Sequence, residues 1–142
     1  MPLGVHIKEN PTAFHRFESV WTPTALVLDE NGKERHRIEG YLPKDEFAAQ
    51  LLLGLARVAF MQKKWADSEK LYDEILQKYP NSVLRPSVMF WQAENSYRQG
   101  VELAKKPEGA TPAGQEQIKK LQTQEHTQQK DFDDFLAAFS AE

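Results

Sequence analysis

The chain has 142 residues, 40% of them hydrophobic and 27% charged, with a formal net charge of -3 and no cysteine. Such a composition is ordinary for a globular protein of one domain or two small ones. Zero Cys excludes disulfides, thiol catalysis and thiolate metal sites from this chain, and the acidic balance argues against a nucleic-acid footprint, which shows clustered Lys and Arg.

The longest apolar stretch, Phe47 to Met61, is interrupted by Gln50 and Arg57 and falls short of the roughly 20 residues that cross a bilayer. No membrane partner is expected. The start, Met1 to Lys8, lacks a basic region followed by an apolar run, so no signal peptide is expected. A cytoplasmic address follows, with a periplasmic one left open if the natural protein begins upstream of Met1.

In chain order, Val5 to Lys8 alternates apolar and polar, the pattern of a short half-buried strand. Asn10-Pro11 then opens a helix, Asn as cap and Pro at the first helical position, with Phe14, Phe17 and Val20 at helical spacing. Thr22-Pro23 ends it, since the residue before Pro is pushed to extended backbone. Thr24 to Leu28 predicts a strand apolar on both faces. Asp29 to Gly32 is a turn in which Gly32 takes positive φ, and Lys33 to Glu39 returns antiparallel as a charged, self-protecting edge strand.

Pro43 opens a helix with Phe47, Leu51, Leu55, Val58 and Met61 recurring at three or four residues, and Gly54 marks a kink or a place where another helix comes close. A second helix is predicted from about Trp65 to Tyr79 and a third from Pro86 to about Ala104. Residues 106–114, with two Pro and two Gly, predict a loop. Gln115 to Phe139 is rich in helix formers, but its middle, Gln122 to Lys130, is almost devoid of apolar residues and predicts either a solvated part of one long helix or a break between two.

Few residues point to chemistry. His6, His15, His36 and His126 show no metal-ligand spacing, and Asp131, Asp133 and Asp134 lack the glycine of a calcium loop. Carboxylates such as Glu39 and Glu46 are not brought into one cleft by spacing alone. No phosphate loop or nucleophile elbow occurs. Neither a metal nor any other cofactor is expected. The aromatic residues Trp65, Tyr72, Tyr79, Phe90, Trp91 and Tyr97 suit a peptide groove, but their helical spacing fits core packing better.

The order of strand, Asn-Pro helix, Thr-Pro-Thr strand, Asn-Gly hairpin, Gly40 and Pro-opened helix, over residues 5 to about 55, resembles the C-terminal half of thioredoxin-fold proteins. That resemblance implies a cis Thr22-Pro23 bond and a backbone at the proline loop that pairs with an extended peptide, so Trp21, Thr22 and Pro23 are the candidate peptide-binding residues. The family's cysteine-bearing half has no counterpart here. Residues 51 to 100 resemble tetratricopeptide-type helical hairpins, with Ala56 and Ser68 at the small positions, Tyr72 at the aromatic one and Pro80 closing, which lets two helices approach closely. Trp91 to Gly100 resembles the first helix of a following repeat. Together the two resemble bacterial thioredoxin-like proteins that continue into such helices.

The expected fold class is therefore α+β, a truncated thioredoxin-like β-α-β-β-α unit over residues 1–55, tetratricopeptide-like helices over 56–104, and a loop with a polar C-terminal helix over 105–142. In the thioredoxin fold the strands matching Val5 to Lys8 and Thr24 to Leu28 are separated by one that is missing here. Unpaired buried backbone costs on the order of 1 to 3 kcal/mol per group, so a homodimer completing the sheet, or a repaired three-stranded sheet, is expected. The leading functional expectation is a non-catalytic module that binds peptide or protein partners. The alternative is a fragment of a thiol-disulfide oxidoreductase whose redox cysteines lie upstream; this chain alone should not reduce insulin, because the attacking thiolate is absent.

Overall fold

The structure is a computed structural model, and it describes residues 2–6, 8–19 and 23–140. Helix α1 spans Pro11–Arg16, strands β1 and β2 span Thr24–Leu28 and Glu34–Glu39, and helices α2, α3 and α4 span Lys44–Met61, Trp65–Lys78 and Arg85–Ala104. A single 3-10 turn at Pro107–Ala110 leads into helix α5, Pro112–Ser140. Each helix from α2 onward packs on the next in sequence, and α2 also carries the sheet. The mixture of a small antiparallel sheet with a mostly helical body is the α+β class expected.

The helix at Asn10-Pro11 forms as its cap demands: Asn10 Oδ1 accepts the Ala13 amide at 3.2 Å. It is shorter than the spacing of Phe14, Phe17 and Val20 suggested. The chain leaves the helix at Phe17, and Glu18 sits at φ 51°, left-handed backbone that breaks the ladder. Val20 lies outside the described residues.

Strands β1 and β2 pair antiparallel, with Ala25 opposite Ile38, Leu26 opposite Arg37 and Val27 opposite His36. The connecting turn is fixed by Asp29, whose Oδ1 accepts the amides of Asn31 and Lys33 at 2.9 and 3.0 Å, while Oδ2 meets the Arg35 guanidinium at 2.9 Å. Those bonds, the Lys33 amide first, hold the Asp29 carboxyl below its ordinary pKa. Gly32 takes φ 75°, the positive value that the Asn-Gly turn predicted.

The expected strand at Val5 to Lys8 needs correction. Val5, His6 and Lys8 belong to no strand, Ile7 lies outside the described residues, and the described sheet has two strands. Alternation prepares a segment for a sheet, but only a neighbouring edge supplies its hydrogen bonds, and no β-ladder joins Val5 or His6 to either described strand. The described unit is α-β-β-α.

The sheet's inner face lies on α2. A Cβ built on Gly54 would stand 2.5 Å from Val27 Cγ2 and 3.1 Å from His36 Cβ, so Gly54 admits the strands where the sequence suggested a kink or a helix crossing. Ile38 is the buried hydrophobic residue of the sheet. The main core lies among helices: Ala49, Leu53 and Ala56 of α2, Tyr72 and Ile75 of α3, and Val88 of α4. At its centre Ser68 is fully buried and its hydroxyl donates to the Ala56 carbonyl at 3.1 Å. A small side chain there lets α2 and α3 approach, and the bond satisfies the buried hydroxyl.

The segment expected to be a loop up to Gly114 is shorter. Helix α5 begins at Pro112 because Thr111 caps it, its Oγ1 accepting the Gly114 amide at 3.0 Å. The helix then runs without a break through Gln122 to Lys130, which settles the two alternatives for that polar stretch. No helix among the described residues is long and apolar enough to cross a membrane.

Candidate functional site

Of the candidate peptide-binding residues, Trp21 and Thr22 lie outside the described residues. Pro23 is exposed immediately before β1, and its carbonyl accepts the Gly40 amide at 2.8 Å. This bond ties the entrance of β1 to the exit of β2 and closes the hairpin at its open end.

The two outer edges of the sheet differ in chemistry. Along β2 the edge carries Glu34, Arg35, Arg37 and Glu39. Arg37 pairs with Glu34 through Nε at 2.8 Å and with Glu39 through Nη1 at 3.3 Å, and the bonds to Glu34 above all raise its already high pKa. Its guanidinium also donates to the carbonyls of Phe17 and Glu18, clipping the chain after α1 onto the face of the sheet opposite α2. Such a charged edge resists strand pairing.

Along β1 the edge is apolar, Ala25-Leu26-Val27-Leu28, and among the described residues no backbone hydrogen bond reaches these four from any element except β2 and its turn. Which flank of α2 borders it follows from helical geometry. At about 100° per residue, Gln50 and Arg57 lie on one side of Gly54, and both touch His36 of β2. Leu51 and Leu55 lie on the other side, the flank away from β2, and are 37% and 50% exposed, while Phe47 falls nearly in line with Gly54. A strand edge open to pairing beside an apolar helix flank is the kind of surface that accepts an extended peptide, with main-chain bonds for affinity and the side-chain flank for selectivity.

Behind this surface, His36 is held between β2 and α2. Nε2 is hydrogen-bonded to Gln50 Oε1, which leaves Nδ1 to accept from Arg57 Nη1 at 3.4 Å. Burial, with the nearby guanidinium, lowers its pKa and favours the neutral ring.

The helical half contains a second polar constellation that sequence reading missed. Glu69 of α3 accepts through Oε1 from Gln92 of α4 and Gln128 of α5, each at 2.9 Å. Gln92 also donates to Asp73 at 2.6 Å, and the Ser96 hydroxyl donates to Gln128 Oε1 at 2.7 Å. Nearby, an open cleft of about 250 Å³ between α4 and α5 is lined by Phe90, Ala93, Glu94, Tyr97, Glu125 and Gln129. Of the aromatic residues expected to pack, Tyr72 is fully buried and Trp91 lies against the core, edge-on to Phe60, whereas Phe90 and Tyr97 are exposed. Among the described residues no three His, Asp or Glu side chains converge as a metal site would require.

Residues 5–54 match the family model of a thioredoxin-like domain. The match takes in α1, both strands and α2 as far as Gly54, and the helices beyond lie outside it. No curated protein and no solved structure matches the chain significantly.

Proposed function

We propose that the chain is a non-catalytic interaction module, in which a thioredoxin-like unit over residues 1–55 presents the outer edge of β1 to an extended segment of a protein partner. The observation that carries this reading is the contrast of edges: β2 is charged, while Ala25 to Leu28 is apolar, has no partner strand but β2 among the described residues, and lies on the side of α2 that carries the exposed Leu51 and Leu55. Trp21, Thr22 and Pro23, which precede β1 in the sequence, are the proposed peptide-contacting residues. Helices over 56–104 serve as a tetratricopeptide-like scaffold, supported by the close α2–α3 approach at Ala56 and Ser68, and residues 105–142 brace it. A second copy of the chain, pairing β1 with β1, is the homodimeric form of the same mode.

The test is a titration of labelled protein with an eight-residue peptide of alternating Val and Thr, followed by amide spectra. Shifts concentrated on Ala25 to Leu28, lost in Leu26→Pro and weakened in Leu51→Lys/Leu55→Lys, are the expected result. Shifts confined to α4 and α5, or a Leu26→Pro variant that is folded and binds equally well, would overturn the reading. Light scattering over a range of concentrations distinguishes a self-paired dimer from a free edge.

A thioredoxin-like domain match also suits a portion of a thiol-disulfide oxidoreductase. In that reading the same edge lies beside redox cysteines supplied from outside this chain.

A further inference from the structure

Helices α4 and α5 run antiparallel. Toward one end of their seam a Cβ at Gly100 would fall 3.8 Å from Leu121 Cβ, and at the other Arg85 stacks over the Phe135 ring at 4.8 Å. One flank of that seam stays open as the cleft of about 250 Å³. Helical spacing defines its walls. At about 100° per residue, Phe90, Glu94 and Tyr97 share one stripe of α4, and Glu125, Gln129, Phe132 and Leu136 share one stripe of α5. Phe90 and Phe132 meet across the seam with ring centroids 6.2 Å apart. The same antiparallel register brings Tyr97 and Glu125 to the other end of the cleft, where both line it.

The chemistry of the walls selects an occupant. Phe90 and Tyr97 are 44% and 55% exposed, so two aromatic rings are offered on one side of the cleft. Glu94 accepts from Arg98 Nε at 2.7 Å, whereas the half-buried Glu125 carboxylate makes no hydrogen bond or ion pair among the described residues. From Glu125 to Ser140, α5 carries four carboxylates, Glu125, Asp131, Asp133 and Asp134, against Lys130 alone, a charge that favours a cationic partner. The cleft is smaller than the roughly 300 to 1,000 Å³ of a small-molecule site and suits one side chain of a larger partner.

We propose that this cleft receives an arginine side chain from an extended segment of a protein partner. The guanidinium lies against the Tyr97 ring with Glu125 as its acceptor, and an apolar residue of the same segment rests on Phe90 and Phe132. A planar guanidinium suits both walls, because it stacks on an aromatic face while its fork of N–H donors meets a carboxylate. The spacing of the two residues follows from the helix. Glu125 and Phe132 are seven residues apart, a rise of about 10 Å, which an extended chain covers in about three residues. This surface is separate from the outer edge of β1 and does not depend on it.

The experiment titrates the labelled full chain with two end-blocked peptides, Ala-Arg-Ala-Ala-Leu-Ala and Ala-Leu-Ala-Ala-Arg-Ala, which cover both chain directions, and follows amide spectra. At least one peptide is expected to shift Phe90, Tyr97, Glu125 and Gln129, with binding that weakens as salt is added. Affinity should fall about two- to fivefold in Glu125→Gln and by a similar factor in Tyr97→Ala. Lysine in place of the peptide's arginine should bind less well, and glutamine should abolish the shifts. No shifts on α4 and α5 at millimolar peptide, equal binding of the lysine or glutamine peptide, or a folded Glu125→Gln that binds as wild type does would each overturn the proposal. Shifts confined to Ala25 to Leu28 would overturn it too, while supporting the strand edge as the peptide site.

Discussion

Gly54 shows how one missing side chain positions the sheet. Alanine there should gain about 1 kcal/mol of helix propensity, yet its Cβ would stand 2.5 Å from Val27 Cγ2, and a β-branched residue in a paired strand has little freedom to yield. Overpacking of this kind costs about 1 to 3 kcal/mol. Gly54→Ala should therefore lower the urea midpoint, and the penalty should shrink by about 1 kcal/mol in a Val27→Ala background. An unchanged penalty in that cycle would place the clash elsewhere. His36, on the same seam, makes a prediction in pH. Its folded pKa is lowered from 6.5, so the unfolded chain binds the proton more readily. Stability should fall as pH drops below about 6.5 and level off below the folded value. In His36→Gln the part of the slope due to this ring should disappear from thermal melts between pH 5 and 7.

At the scale of elements, the entry to α5 is a compact device. Thr111 Oγ1 accepts from the Gly114 amide and donates to the Glu108 carbonyl at 2.6 Å, and a Cβ at Gly114 would stand 1.9 Å from that same carbonyl oxygen. Thr111→Ala should cost about 1 kcal/mol as a lost cap, and Gly114→Ala more, because backbone must move; denaturant titrations giving the reverse order would contradict this. The Thr111-Pro112 pair has the same logic as Asn10-Pro11, so this helix start was legible in the sequence, but the Pro and Gly around it pointed to a loop. Helices α2 to α4 were legible to within a residue or two because their apolar spacing is a local property. The contacts of Gln124 and Gln128 were not, since their partners Ser96 and Glu69 lie 28 and 59 residues away and polar side chains carry no periodic mark of burial. The strand expected at Val5 to Lys8 failed for a related reason: alternation is local, while pairing needs an edge elsewhere. The hairpin of β1 and β2 was legible from its Asn-Gly turn and flanking apolar and charged runs, whereas the apolar flank of α2 beside Ala25 to Leu28 emerges only from three-dimensional packing.

Across the whole molecule, stability should be graded from the sheet to the helices. The buried cluster of Ala49, Leu53, Ala56, Tyr72, Ile75 and Val88 belongs entirely to α2, α3 and α4, whereas Ile38 is the buried hydrophobic residue of the hairpin. A two-stranded sheet is at best marginal alone, so β1 and β2 persist only while they lie on α2. The converse does not hold, because α2 keeps its face toward α3 when the hairpin lifts away. Local opening should then expose the hairpin amides at a lower free energy than those of α2 and α3. Native-state hydrogen exchange at low denaturant should show Leu26, Val27 and Arg37 exchanging through an opening that leaves Leu53, Tyr72 and Val88 protected. If the two sets exchange with one free energy and one denaturant dependence, the hairpin is an equal part of the core. Easy lifting of the hairpin would then lend no support to the proposed addition of another strand along β1.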